Sequence, residues 1–251
     1  MKKKKTIILI LVIFIILVIL IALTFIIYNI DENKNLGTEN NSQNADINDQ
    51  IVKTENTNIS KLEPITYTAT EDSKRFKKEY EDLNNTSIQD DGTKYNTVNI
   101  SEENPIVYVD LEQLVNQINS EEKSYIFISS PTCAYCRAIV STLFEVTQNL
   151  GIEKLYYFDT RSVINYEDET KKQELLDQLV EKNVITKNSQ GNVSWQMPLV
   201  LKTQAGNILA KRIGISGVTL NEGQTQYSEL TEEQKQQLYD IYYSLLKNQN
   251  Q

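Results

Sequence analysis

Residues 124–136 read SYIFISSPTCAYC. The first six are rich in β-branched and aromatic side chains, a composition that suits a central strand covered on both faces. Ile139, Val140, Leu143 and Phe144 then recur at helical spacing. The seam between strand and helix holds Cys133 and Cys136, the only cysteines among 251 residues. Any fold of this chain has to bury the strand on both sides and leave two sulfurs where it hands over to the helix.

Such a pair can staple the fold, hold a metal or carry electrons. A zinc site normally draws four ligands from Cys, His and carboxylate. This chain has two cysteines and no histidine, so it would need carboxylates or a second chain. A bridge between residues three apart closes a tiny loop, and the benefit of a crosslink grows with loop length. It would staple almost nothing. The redox reading explains more. With Pro131 two residues before it, Cys133 falls at a helix N-terminus, where free N–H groups and the helix dipole favour a thiolate. The thiolate is the form that attacks a disulfide. Cys136, one turn further in, is placed to resolve the mixed disulfide. Arg137 either adds positive charge nearby or is a solvated helix residue. Tyr135, expected to be exposed, either gates partner access or shapes the turn.

The remaining pattern is α/β over residues 94–248. Tyr95 to Ile100 alternates like a short strand. Asp110-Leu-Glu-Gln113 has capping-box spacing ahead of Leu111, Leu114, Val115 and Ile118. Gly151 reads as a helix stop and Leu155 to Phe158 as a buried strand. A helix is expected over residues 167–182. Met197 to Leu201 and Asn207 to Ile213 read as strands joined at Ala205-Gly206-Asn207. Thr231-Glu-Glu-Gln234 opens a last helix with Leu238, Ile241, Tyr242 and Leu245 on one stripe. Residues 61–93 form an N-terminal extension with a charged helical candidate from Glu71 to Leu83, a turn at Asp91-Gly92 and no firmer assignment.

Ahead of these lie a basic N-terminus (residues 1–5) and 23 residues without a charge (6–28), against the roughly 20 a helix needs to cross a bilayer. No small-residue cleavage site follows, so the run reads as an uncleaved transmembrane anchor, with a long cleaved signal as the alternative. Lys2 to Lys5 would stay cytoplasmic, placing the rest of the chain outside the cell membrane. Residues 29–60, rich in Asn, Asp and Glu, read as a flexible linker. Beyond the anchor, 34 acidic residues face 21 of the 25 basic ones, about −13. That balance argues against nucleic acid or anionic lipid as partners. The bilayer enters as a partner only through residues 6–28.

The segment from Phe127 to Cys136, together with Met197-Pro198 opening a later strand, resembles the thioredoxin superfamily. Gly206 and Gly214, eight and sixteen residues after that proline, fall where the family has its hairpin glycine and a later structural glycine. The resemblance covers roughly residues 94–248. It implies a thioredoxin-like fold, a central mixed sheet flanked by helices, with the helix at 167–182 as an insertion. It implies a cis Pro198 beside the sulfurs and a Met197 backbone that pairs with a bound substrate strand. It requires no organic cofactor or metal, since the Cys133–Cys136 disulfide carries two electrons. Three positions depart from family thioredoxins: Thr132 stands where they have Trp, Phe127 where they have a buried acid, and Ala134-Tyr135 between the cysteines. Pro-Thr-Cys-Ala-Tyr-Cys-Arg is also similar to anchored bacteriocin transport accessory proteins. Trp195 is expected against the core rather than the site. The expectation is a membrane-anchored extracytoplasmic thiol–disulfide oxidoreductase acting on secreted polypeptides, with a membrane redox partner. Disulfide formation is favoured over reduction or isomerisation. A thioredoxin-like binding or accessory module for peptide export, with an idle disulfide, is the alternative.

Overall fold

The computed structural model describes residues 63–88 and 92–247. The expected anchor (6–28) and linker (29–60) lie outside the described residues. Among the described residues, no helix is long and apolar enough to cross a membrane. In chain order the elements are α1 (Glu71–Glu81), β1 (Ile106–Tyr108), α2 (Leu111–Asn119), β2 (Ser124–Ser129), α3 (Ala134–Asn149) and β3 (Leu155–Asp159). A 3-10 helix (Thr160–Asn165) and α4 (Glu169–Glu181) follow. The small hairpin β4 (Thr186–Lys187) and β5 (Val193–Ser194), then β6 (Leu199–Gln204), β7 (Asn207–Ile213) and α5 (Glu232–Leu246) complete the series.

The main sheet has the order β1-β3-β2-β6-β7. Its first three strands run parallel, while β6 pairs antiparallel with both β2 and β7. Strand β2 sits at the centre, and its side chains alternate between two dry layers. Ile126 and Ile128 pack with α2 and α4, whereas Phe127 packs with α1, α3 and α5. The apolar run identified in the sequence is therefore explained by burial on both faces. Helix starts follow the expected chemistry: Asp110 and Thr231 each close a capping box, with Gln113 and Gln234 respectively. The β6–β7 turn uses Ala205 and Gly206 at φ +49° and +76°. Two consecutive positive φ values are what a two-residue type I′ hairpin needs.

Three expectations change. The helix expected as an insertion, α4, is one of the two helices that layer a sheet face. Leu175, Leu176 and Leu179 pack there with Phe158, Leu199 and Leu201. Tyr95 to Ile100 is not a strand, although Asn96, Val98 and Ile100 are buried in alternation. Side chains take the place of a ladder: Asn84 Nδ2 donates to Val98 O (2.8 Å), Val98 N to Asn84 Oδ1 (2.9 Å) and Ile100 N to Glu81 Oε1 (2.8 Å). Finally, the unassigned segment before residue 94 is part of the core. Phe76 and Tyr80 on α1 are fully buried and stacked at 4.3 Å, and Phe76 meets the edge of Tyr157 at 4.8 Å.

Phe76→Ala should therefore cost about 3–5 kcal/mol, as a buried aromatic truncation does. Lys78→Ala on the exposed side of the same helix should stay within about 0.5 kcal/mol. Urea unfolding followed by the fluorescence of Trp195, the single tryptophan, measures both. Equal, small effects would mean that α1 is a dispensable appendage.

Candidate functional site

The site forms where β2 ends. Ser129 leads into a short loop in which Ser130 O accepts from Cys133 N (3.0 Å) and Ser130 Oγ lies 2.8 Å from Thr132 Oγ1. Pro131 is buried and Thr132 exposed. Cys133 is the N-cap of α3, with extended backbone, and its sulfur accepts from Cys136 N at 3.2 Å. A sulfur thus occupies the position usually held by a Ser, Thr, Asp or Asn oxygen. The two cysteines are joined in a disulfide, with Cα atoms 5.1 Å apart. Their environments differ. Cys133 is half-buried at the rim, whereas Cys136 is fully buried in the α3 core.

Pro198 follows a cis peptide bond from Met197. Its carbonyl accepts from Gly214 N (2.7 Å), where the backbone has φ +62°, a conformation that favours glycine. Ile128 pairs with Leu199, so Pro198 comes level with the end of β2. Met197, Tyr135 and Cys133 are all half-buried and pack against the same hydrophobic cluster. Thr160 Oγ1 donates to Met197 Sδ at 3.3 Å, tying the end of β3 to the proline loop. Of the five residues singled out from the sequence, Cys133, Cys136, Tyr135 and Met197 share one hydrophobic cluster, and Pro198 stands level with the end of β2. Tyr135, expected to be exposed, is half-buried because it packs against this cluster. Trp195 packs on Phe158 (5.3 Å) in the opposite layer.

Arg137 is neither solvated nor a surface charge: it is 2% exposed. Its guanidinium donates to Asn96 O, Tyr80 O, Pro131 O and Asn84 Oδ1. Burial pushes its pKa down. Tyr80 also reaches the site, its hydroxyl 2.7 Å from Ser129 Oγ, and burial pushes its phenol up. Phe127 is fully buried between Tyr157 and Val200 on the neighbouring strands. The acid at the end of β3 is Asp159, in register with Ser129, and Arg161 Nε contacts both of its oxygens at 3.0 and 2.9 Å. Among the described residues, no group of three or more cysteines and carboxylates is disposed to hold a metal. Sequence reasoning missed the contribution of α1. The available signal was the i, i+4 spacing of Phe76 and Tyr80 on an otherwise charged helix.

The strand order, the helices on both faces, the cysteine pair at the head of α3 and the cis proline before β6 together make this a thioredoxin-like fold. No protein-family model and no curated protein matches the chain. Solved structures similar to it include a thioredoxin from Trypanosoma brucei brucei, at 16% identity and TM-score 0.32, covering 57% of this chain and 97% of that one. Thioredoxin O2 from Arabidopsis thaliana in its oxidised state is similar at 15% identity and TM-score 0.30, covering 44% and 84%. The J-Trx1 fragment of ERdj5 is similar at 13% identity and TM-score 0.30, covering 70% and 72%. The likeness is one of fold.

After reduction, brief alkylation should label Cys133 at least about tenfold ahead of Cys136, since thiol reactivity follows thiolate character and access. Peptide mass spectrometry over a time course reads this directly. Equal labelling would remove the distinction between an attacking and a resolving sulfur.

Proposed function

We propose that this protein is a membrane-anchored, extracytoplasmic thiol–disulfide oxidoreductase that favours disulfide formation in secreted polypeptides. The observation that carries the reading is the asymmetry of the pair. A half-buried Cys133 caps α3 above a fully buried Cys136, with Met197-Pro198 alongside.

In the oxidising direction, a substrate thiolate attacks Cys133 Sγ. The Cys133–Cys136 bond breaks, Cys136 leaves as a thiolate and a mixed disulfide forms on Cys133. A second thiolate of the substrate then attacks the substrate sulfur of that mixed disulfide, and Cys133 leaves as a thiolate. The substrate gains one disulfide, and the protein gains two electrons and, after protonation, two thiols. The helix N-terminus favours the departing Cys133 thiolate in the second step. Met197 contributes backbone to hold the extended substrate, and Tyr135 forms part of the wall beside the sulfur. The uncharged run at residues 6–28 behind Lys2 to Lys5 supports the anchored setting, and a membrane partner would return the pair to its disulfide.

The test equilibrates the full chain in glutathione buffers and reads the reduced fraction. Thiol–disulfide proteins range from about −270 mV for a reductant to about −120 mV for a strong oxidant. A value in the oxidising half of that range is expected. A value near the reducing end would reverse the direction. Cys133→Ser should abolish exchange, and Cys136→Ser should accumulate mixed disulfides on Cys133. If the double Cys133→Ser, Cys136→Ser variant kept full cellular function, the chain would be a binding module rather than an enzyme.

A further inference from the structure

Arg137 follows Cys136 directly in the chain, and its surroundings are unusual for a buried cation. Its hydrogen bonds are Nε to Asn96 O (3.1 Å), Nη1 to Tyr80 O (2.7 Å) and Pro131 O (3.4 Å), and Nη2 to Asn84 Oδ1 (2.6 Å) and Asn96 O (2.8 Å). These use all five guanidinium donors. Every acceptor is a neutral oxygen. The rings of Tyr80 and Tyr95 lie 5.9 and 5.5 Å from its Cζ, and they are the ionisable groups that bear on it. Among the described residues, no carboxylate is a hydrogen-bond partner of its guanidinium. Hydrogen bonds to carbonyls satisfy donors but leave a formal charge uncompensated, and burial makes an uncompensated charge costly.

Arg137 meets the redox loop through both its backbone and its side chain. Its backbone N donates to Cys133 O (3.1 Å), the i to i−4 bond of α3, and Nη1 donates to the carbonyl of Pro131 (3.4 Å), two residues before Cys133. In the disulfide state the pair carries no charge. On reduction, Cys133 is the sulfur at the helix N-terminus and can hold a negative one. A buried cation that holds the Pro131 carbonyl of the loop leading to Cys133 favours the thiolate and does nothing comparable for the uncharged disulfide.

We infer that Arg137 is a positioning residue that makes the Cys133–Cys136 pair more oxidising: held by neutral oxygens of Asn84, Asn96 and the backbone of Tyr80, its buried charge favours the reduced, thiolate-bearing form. This rests on the oxidoreductase reading and deepens it. The segment carrying Tyr80, Asn84 and Asn96 is then part of the redox machinery, because it holds the charge in place. The half-reaction is Cys133–Cys136 disulfide plus two electrons and one proton giving the Cys133 thiolate and the Cys136 thiol. Two molecules of glutathione supply the electrons and become glutathione disulfide.

The experiment compares the full chain with Asn84→Asp, Arg137→Lys and Arg137→Gln in glutathione buffers at fixed pH, reading the thiol–disulfide equilibrium constant. Asn84→Asp places a carboxylate at the 2.6 Å contact with Nη2 while keeping an acceptor there. It should shift the equilibrium about tenfold toward the disulfide, which is about 30 mV for a two-electron couple. Arg137→Gln should shift it in the same direction. Arg137→Lys, which keeps the charge with fewer donors, should stay closer to the parent protein. Urea unfolding of each variant is read in parallel, so that lost stability is not mistaken for a changed equilibrium. If Arg137→Gln does not fold, Asn84→Asp and Arg137→Lys still decide. An unmoved Asn84→Asp in a parent protein that exchanges with glutathione overturns the role of Arg137 and leaves the oxidoreductase reading standing. A parent protein that does not exchange at all overturns both.

Discussion

Burial of β2 on both faces requires a helical layer on each side of the sheet, and the surrounding elements meet that requirement. Helices α2 and α4 cover Ile126 and Ile128, while α3 and α5, joined by α1, cover Phe127. The parallel pairing with β3 and the antiparallel pairing with β6 then bring three chain ends to one edge: Ser129, Asp159 and the cis peptide before Leu199. The cysteine pair is at this edge because β2 ends there and α3 begins there. Its position is a consequence of the topology.

The face that carries α3 is the thicker one, and α1 makes it so. Phe76 and Tyr80 fill the space beside Phe144 and Tyr157, and the hydroxyl of Tyr80 reaches Ser129 at the mouth of the redox loop. The chain after α1 then doubles back through Asn84 and Asn96 to hold Arg137. A segment whose composition suggests a charged surface helix thus forms the wall behind the cysteines. Charged side chains pair along its outer surface, Lys74 with Glu71 and Lys78 with Asp82. Such exposed pairs contribute little stability. The two buried aromatic rings account for its docking.

Most of the architecture was legible in the sequence because its signals are local. The apolar run Tyr125 to Ile128 of β2, capping boxes at Asp110 and Thr231, and a hairpin turn at Ala205-Gly206 each determine structure within a few residues. The cysteine pair and the proline were legible for the same reason. What escaped depends on contacts distant in the chain. Arg137 binds residues 41 and 57 positions away, and its sequence neighbours say nothing of that. Tyr95 to Ile100 has the period of a strand, yet Asn84 and Glu81 take its backbone groups, so no ladder forms. Alternation reports burial on one side, and it does not report which groups satisfy the backbone. Helix α4 was legible as a helix, but only the sheet shows which layer it completes.

The two arginines near the strand ends are held in opposite ways, and the contrast bears on the direction of electron flow. Arg161 contacts both oxygens of Asp159 and donates to Glu79 at 3.0 Å, so its charge is answered by carboxylates at a partly exposed site. Arg137 has its donors satisfied by neutral oxygens, with no carboxylate bonded to it among the described residues. An acid at position 127 would have supplied an anion on the same sheet face as α3, opposing a second negative charge on sulfur. Phe127 supplies none. In the proposed oxidising direction, a buried cation after the second cysteine and a sulfur capping the helix N-terminus would favour the thiolate, and Phe127 would add no charge against it. A disulfide whose reduced form is favoured is one that is readily given away.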